Sequence, residues 1–546
     1  MPPNKTKRVE TKMTKTLDAV IIGAGISGMY MLHRMRGLGL NARVYEAGAD
    51  VGGTWYWNRY PGARVDIESQ EYSYSFSEEL EREWKWTERY AAQPEILAYL
   101  NHVADRFDLR RDIQFDTRIA SAAFDEATGR WTVKTEGGET IDAKFVVAAT
   151  GCLSVPNEPK FQGQDRFKGP TYHTGRWPHE GVDFTGKRVA VIGTGSSAIQ
   201  SIPQIAKQAD KVIVFQRTPN YSVPAHNGPI KPEVVEAWLA NRDQNRQEQR
   251  LSPAGFLSSN ANEALATQLG DNERRQVLED RWAVGGFTIG AAFADISVDP
   301  VANAMVAEFA AEKIREIVKD PKTAEKLVPR DYPFGTKRLC VDTGYYEVFN
   351  RDNVELIDLK ETPLSTITET GVTTTGGDFE VDAIVFAIGF DAMTGALSRI
   401  DISGRGGQTL KDAWAEGPKT YLGLMVAGFP NFFTVTGPGS PSVLSNMIVS
   451  IEQHVDWLSD LFAFMGMYGL ATIEAAPESQ TAWVEHVNEA ASKTLYPVAN
   501  SWYLGANVPG KPRVFMPYIG GVGAYRTLCD AVAANGYMGF KLRPAA

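Results

Sequence analysis

Cysteine is scarce in this chain. Only Cys152, Cys340 and Cys529 occur in 546 residues, far apart and with no CxxC pair. That excludes a disulfide framework and a dithiol redox centre, and leaves buried thiols in a reducing compartment as the expectation. Long apolar runs are missing too. The most apolar late stretch, 455–474, is interrupted by Asp456 and Asp460, so no membrane span is read. The N-terminal MPPNKTKRVETKMTKTLD is basic but has no apolar core. It is not read as a secretory signal, and residues 1–16 are read as a disordered tail. An excess of positive charge is also absent. The net charge is -10, which removes any global footprint for nucleic acid or an acidic membrane. No metal site is read. The length exceeds the roughly 250–300 residues at which one core stops growing, so two or three domains are expected.

What is present begins with a glycine-rich loop. DAVII (18–22) is a short apolar run suited to a buried parallel strand, and GAGISG follows with Gly23, Gly25 and Gly28 in GxGxxG spacing. A helix is expected over 29–38 and a strand over 42–45, which ends in Glu46, eighteen residues after Gly28. Gly23 permits the tight turn, Gly25 lets the backbone approach a pyrophosphate, and Gly28 packs helix on strand. The helix N-terminus offers free N–H groups and a positive dipole end, and Glu46 can accept from a ribose diol. Strand, loop, helix and acid together point to a bound dinucleotide.

A second loop repeats the design with one change. RVAVI (188–192) runs into GTGSSA, with Gly193, Gly195 and Ala198 in GxGxxA spacing, then a helix over 199–207 and a strand over 211–215. The position equivalent to Glu46 is Gln216, followed by Arg217. A carboxylate there would repel a 2′-phosphate, whereas a guanidinium binds one bidentately. The first loop therefore suits FAD or NAD, and the second suits NADPH.

Between and beyond these loops lie three further features. The segment 51–76 is dense in glycine, aromatic and charged residues without helical or strand period, and offers Arg64, Asp66 and Glu68 as a site wall. AKFVVAATG (143–151) and VDAIVFAIG (381–389) are similar buried strands ending in small-residue turns, the second returning the chain to the first domain. The stretch from about 226 to 329 is charged and helix-periodic, over 232–250 and 302–319 in particular, and nothing in it looks catalytic. In YPFGTKRLC, Lys337 and Arg338 are neighbours in an extended segment, so their side chains point opposite ways and can serve two sites.

FKGPTYHTGRWP (167–178) carries the pattern FxGxxxHxxxWP on Phe167, Gly169, His173, Trp177 and Pro178. With GAGISG, GGTWYWNRYPGARVD, GTGSSA, FQRTPN, YPFGTKR, GPGSPSVLSN and NSWYLGANVPGK, in that order, the chain resembles the single-chain Baeyer–Villiger monooxygenases from about Leu17 to its end. The flavin N-hydroxylating enzymes are similar but lack the Trp-Pro ending. GPGSPSVLSN and YPFGTKRLC look most like the phenylacetone monooxygenase branch. The cyclohexanone branch differs around 437–444.

The resemblance implies an α/β fold with two Rossmann-like dinucleotide-binding domains and a helical insertion. It places FAD on 17–153 and 390–546, NADP on 154–225 and 335–389, and the insertion on 226–334. It implies a cytoplasmic, monomeric enzyme with FAD and NADPH as cofactors and a ketone and O2 as partners. NADPH reduces the flavin, a C4a-peroxyflavin forms and stays deprotonated, and a ketone becomes an ester or lactone while NADP+ stays bound.

By the same matching, Arg338 is the catalytic arginine and Asp66 its carboxylate partner. Lys337 joins Arg217 and Thr218 on the 2′-phosphate, and Trp502 donates near the nicotinamide ribose. FAD contacts fall on Ser27, Glu46, Thr54, Trp55, Tyr56, Trp57, Asp66 and Tyr72, with Ile119 and Met447 as weaker matches. NADP contacts fall on Arg64, on Val65 (where the family often has cysteine) and on Thr194, Gly195, Ser196, Ser197, Ala198, Ile199 and Gln200. Ser440, Pro441, Ser442, Val443 and Leu444 match a loop that shapes the ketone site, and a small aliphatic or aryl ketone fits this branch. His173 and Trp177 mark a hinge, His173 as a hydrogen-bonding anchor rather than a proton-transfer group. Two other readings compete: oxygenation of sulfides or amines by the same chemistry, and a flavoprotein that binds both nucleotides only to sense redox state. Arg338 and Asp66 argue against the sensor, which has no use for a peroxide-stabilising cation.

Overall fold

The structure is a computed structural model that describes residues 15–259 and 262–545. Of the expected N-terminal tail, residues 1–14 lie outside the described residues, and Lys15 and Thr16 open the first strand instead. The first sheet is built from β1 (Lys15–Ile22), β2 (Ala42–Tyr45), β3 (Ile113–Gln114), β4 (Ile119–Asp125), β5 (Arg130–Thr135) and β6 (Thr140–Ala148). Two late strands complete it, Asp401–Ser403 beside β4 and Phe432–Thr434 beside β6. β3, β2, β1 and β6 run parallel, while β4 and β5 form an antiparallel flap.

The apolar run in β1 is buried on both faces. Ala19 and Ile21 belong to one core, and Leu17, Val20 and Ile22 to the other, which is why the run is continuous rather than alternating. Ile22 pairs with both Tyr45 and Ala148, so three strand ends come level where the chain turns into Gly23.

The second sheet is fully parallel, in the order Val354–Asp358, Lys211–Gln216, Arg188–Ile192, Ala383–Phe386, Thr171–His173. Its edge strand is the front of the FxGxxxHxxxWP stretch. Trp177 closes the same motif by packing with Tyr172 and Phe184 against this sheet's core.

Between the sheets the chain crosses twice, and the two crossings run side by side. Asn157 N–H donates to Gly389 O, Asp391 N–H to Val155 O and Met393 N–H to Cys152 O, each at 2.8–2.9 Å. Gly175 sits against this ribbon so closely that a Cβ there would lie 2.6 Å from Pro156 and 3.0 Å from Phe390. Glycine at 175, a variable position of the pattern, is thus a packing requirement.

The insertion is helical, with helices Pro232–Ala240, Arg242–Leu251, Asp271–Val284, Pro300–Ile317 and Pro321–Leu327. The helix expected across 232–250 is broken at Asn241, whose backbone N–H and side-chain amide both donate to Ala237 O and end the first segment. The break turns the next helix onto the first domain. Arg246 is 3% exposed there, bonded to Glu81, Ser73 and the Gln70 carbonyl. A buried ion pair of this kind fixes an arrangement more than it adds stability.

Candidate active site

The two loops converge on the segment 51–76, which lies between the sheets. In the first loop Gly23 has φ +103, and a Cβ on Gly28 would meet Gly23 O at 1.8 Å, so only glycine allows this helix to approach this turn. Gly25 caps helix Ile26–Gly37 without any side-chain bond, which leaves the first-turn N–H groups to an anion. Glu46 is buried, and its two carboxylate oxygens accept from Ala24 N–H at 2.6 Å and Gly48 N–H at 2.7 Å. These bonds hold the carboxylate beside the loop, as a diol acceptor requires. Thr54, Trp55, Tyr56 and Trp57 form a short helix that starts at Gly53, against Gly25. Trp55 Nε1 donates to Tyr72 Oη at 3.1 Å. Ser27 is buried at the helix start, and Met447 opens helix Met447–Met467, whose cap is Asn446. Ile119 stands apart, packed inside the apolar face with Tyr45.

The second loop has the same backbone. Gly193 has φ +119, and Gly195 faces open space and caps helix Ser196–Ile205 without a side-chain bond. Ser197 and Ile199 ride on that helix, Thr194 Oγ1 donates to Thr218 O at 2.7 Å, and Gln200 bonds Tyr60 and the Arg64 carbonyl. Arg64 itself is held by Glu88 and the Tyr90 carbonyl, and Val65 is buried core, its N–H on Ala91 O. Beyond the strand end, Arg217 has no ion-pair or hydrogen-bond partner among the described residues. Lys337 has only the Tyr332 ring, 4.3 Å from its Nζ. Burial, and then the repulsion of Arg217, pull the Lys337 ammonium below the usual lysine range. Two neighbouring cations, with the Asp331 carboxylate acting on Lys337 from nearby, are what a 2′-phosphate would neutralise.

Arg338 turns the other way. Its Nε and Nη2 donate to Asp66 at 2.6 and 2.9 Å, and Nη1 donates to Val443 O at 2.9 Å. Burial alone would lower the guanidinium pKa, but the Asp66 carboxylate raises it above its ordinary value, so the charge is permanent. A guanidinium has five N–H donors, and Asp66 and Val443 engage three of Arg338's. The Tyr503 hydroxyl also lies against the guanidinium. Asp66 supplies direction as well as charge, because a bidentate pair leaves the fork one orientation.

Sequence reasoning missed three contributors. Phe287 lies with its ring 5.0 Å from the Arg338 guanidinium carbon and packs on Phe256. Both come from the insertion, in which nothing looked catalytic from sequence; it supplies an apolar floor to the guanidinium. A phenylalanine in GGFTIG carries no local signal of that role. The carbonyl of Val443 was visible only as part of the substrate loop, and Tyr503 was hidden beside Trp502, whose ring lies tilted against it at 4.3 Å between centroids. Within that loop Ser440 and Ser442 are fully buried, with Pro441, Val443 and Leu444 beside them.

His173 is not aimed at this site. Its Nδ1 accepts from Gly175 N–H at 3.0 Å, and its ring lies against the Asn157 backbone at the crossing ribbon. Burial, and then Arg176, hold its pKa below the usual histidine range, so it is a neutral ring at neutral pH.

A family model described as pyridine nucleotide-disulphide oxidoreductase matches residues 20–250. The disulphide of that description has no counterpart here, since Cys152, Cys340 and Cys529 are buried and free. A Baeyer-Villiger monooxygenase of Pseudooceanicola batsensis is 45% identical over 538 residues, which cover 97% of this chain and 97% of the relative. An acetone monooxygenase (methyl acetate-forming) of Gordonia sp. (strain TY-5) is 45% identical over 533 residues, covering 97% and 99%. Among solved structures, an oxidised steroid monooxygenase bound to NADP superposes with a TM-score of 0.94 at 54% identity, covering 97% of this chain and all of that one.

Proposed function

The chain belongs to the Baeyer–Villiger monooxygenase family, and on that premise we propose how its own residues divide the work. It is an FAD- and NADPH-dependent enzyme that inserts one oxygen atom beside a ketone carbonyl to give an ester or lactone. When bound and reduced by NADPH, the flavin supplies the activation of O2. The protein contributes position, charge and exclusion of water.

Arg338 and Asp66 carry this reading. The guanidinium keeps a positive charge that burial cannot remove, and it offers its unspent N–H groups to an oxygen on which negative charge is held. Donors fixed before reaction need no reorganisation as charge develops, which is where most of their catalytic value lies. Asp66 orients the fork and offsets the cost of burying it. Arg217 and Lys337 bind the 2′-phosphate of NADPH. Glu46 binds the ribose of FAD, and the first-turn N–H groups at Gly25 and Gly195 take the two pyrophosphates. Residues 17–153 and 390–546 form the FAD domain, and 154–225 with 335–389 the NADP domain. The chain works as a monomer, since both loops and the pair between them come from one chain. The free thiols fit a cytoplasmic enzyme.

The substrate is a ketone, and the relatives' names run from acetone to steroids. The deciding experiment is a panel of short aliphatic, cyclic, aryl and steroid ketones offered to FAD-loaded protein. NADPH oxidation and ester formation are followed together. Ester in step with NADPH consumption is the expected result. Consumption that yields only hydrogen peroxide with every ketone would overturn the reading.

A further inference from the structure

Nine non-glycine residues among those described have positive φ, and three of them bond Cys152, two at its sulfur and one at its carbonyl. Met393 (φ 65), Thr436 (φ 55) and Ser442 (φ 41) come from three separate segments. Cys152 stands between them. Its Sγ donates to Thr436 O at 3.3 Å and lies 3.1 Å from Ser442 Oγ, while its carbonyl accepts Met393 N–H at 2.9 Å. Ser442 Oγ also donates to Met393 Sδ at 3.9 Å, which closes the cluster. The left-handed region is costly for any residue with a Cβ, and such residues persist only where their surroundings over-determine them. Here the surroundings are each other.

The three segments are not arbitrary. Cys152 and Met393 are the first pair of the ribbon formed by the two crossings between the sheets. Thr436 precedes the substrate loop by four residues, and Ser442 lies at the middle of that loop. Ser442 precedes Val443, whose carbonyl accepts from Arg338. One covalent step therefore separates the cluster from the group that holds the catalytic guanidinium.

We propose that Cys152 is a positioning residue for oxygen transfer: its thiol locks Thr436 and Ser442 in their left-handed conformations, while its backbone ties them to Met393, and so sets where Val443 presents its carbonyl to Arg338. The crossing ribbon and the guanidinium are then coupled mechanically. A change in the ribbon alters the cluster, and through Ser442 it alters the register of the substrate loop. The thiol suits the task because it is buried and small, can donate its one hydrogen to Thr436 O, and lies against the Ser442 hydroxyl at the same time. This deepens the reading of Arg338 given above and rests on it.

The test compares Cys152→Ala with Cys152→Ser in the FAD-loaded protein with NADP+. Deuterium exchange is followed at the amides of 436–446, and peroxide released per NADPH is measured separately. Serine can still donate to Thr436 O and meet Ser442, whereas alanine can do neither. The alanine variant should speed exchange and raise the peroxide fraction by roughly threefold to tenfold, the equivalent of one lost internal hydrogen bond, and serine should restore most of both. Exchange unchanged in Cys152→Ala, or equal damage from alanine and serine, overturns the proposal. If Cys152→Ala does not fold, Ser442→Ala removes the same contact from the loop side and is judged by the same exchange readout. The exchange arm does not depend on the role of Arg338. Ester formed at the wild-type rate by Arg338→Ala would remove the catalytic reading while leaving the exchange result to stand or fall by itself.

Discussion

The two glycine-rich loops share one backbone up to the end of the strand that follows each. Both place a left-handed glycine at the turn, and both leave a helix start without a side-chain cap. They part at the next strand's end. The first presents a buried carboxylate fixed by two backbone N–H groups; the second presents Gln216, and then Arg217 with Lys337 near enough to repel it. Backbone geometry decides where a pyrophosphate lies, and the charge at the strand end decides which ribose can follow it. The same contrast recurs within one dipeptide. Lys337 has no ion-pair partner among the described residues and burial lowers its pKa, while Arg338 is paired with Asp66, which raises its pKa above the ordinary arginine value. Adjacent residues of the same sign thus serve opposite needs, one waiting for an anion and the other already tied to a carboxylate.

The sharpest way to break that contrast is at Arg338. Loss of one preorganised donor to a developing oxyanion costs about 10²–10³ in rate. Arg338→Ala should lose ester formation by at least that order and retain FAD, as flavin absorbance after gel filtration will report. Arg338→Lys asks a finer question. A lysine there, unlike arginine, can lose its proton, and Asp66 delays that loss; any residual oxygenation should therefore hold near neutrality and fall at alkaline pH as the ammonium deprotonates. A flat pH profile in the lysine variant would mean that permanence of charge is not what arginine provides.

Arg217 sharpens the comparison at the level of nucleotide choice. A charge-assisted hydrogen bond is worth roughly 1.5–3 kcal/mol, so Arg217→Ala should cut the NADPH over NADH preference in kcat/KM by about tenfold or more. An unchanged ratio would move the 2′-phosphate elsewhere, with Lys337 as the first place to look.

Much of this arrangement was legible before any coordinates. Gly23, Gly25, Gly28 and Glu46 follow from spacing because the chemistry they serve is local to one strand, turn and helix. The α/β class followed for the same reason, since β1 and strand 188–192 announce themselves by continuous apolar burial. The pair Arg338 and Asp66 lies 272 residues apart, and only the family resemblance joined them. What stayed hidden was contributed through the backbone or from far away. The Val443 carbonyl has no residue signature, because any amino acid supplies one. Phe287 reaches the guanidinium only because the insertion folds back, and that return depends on Asn241 ending one helix and Arg246 anchoring the next. Left-handed Met393, Thr436 and Ser442 were equally silent, since none is a glycine or asparagine that would advertise positive φ.

His173 gives the smallest expected effect and the most discriminating one. Its Nδ1 is occupied by Gly175 N–H, its ring is neutral at neutral pH, and it touches the crossing ribbon at Asn157 rather than the Arg338 site. A proton-transfer role would make its loss severe and pH-dependent. An anchoring role makes the loss modest, because one internal hydrogen bond contributes about 0.5–1.5 kcal/mol. We expect His173→Ala to bind FAD normally, to oxidise NADPH, and to form roughly twofold to tenfold less ester per NADPH. His173→Asn, which can keep an acceptor near Gly175 but cannot titrate, should recover part of that loss. Recovery by asparagine fits the anchor, because a non-titrating side chain cannot move a proton. Damage that asparagine leaves unrepaired and that tracks pH would put the histidine back among the reacting groups. Normal coupling in the alanine variant would leave the motif a packing element of the second sheet, held by Gly175 and Trp177 alone.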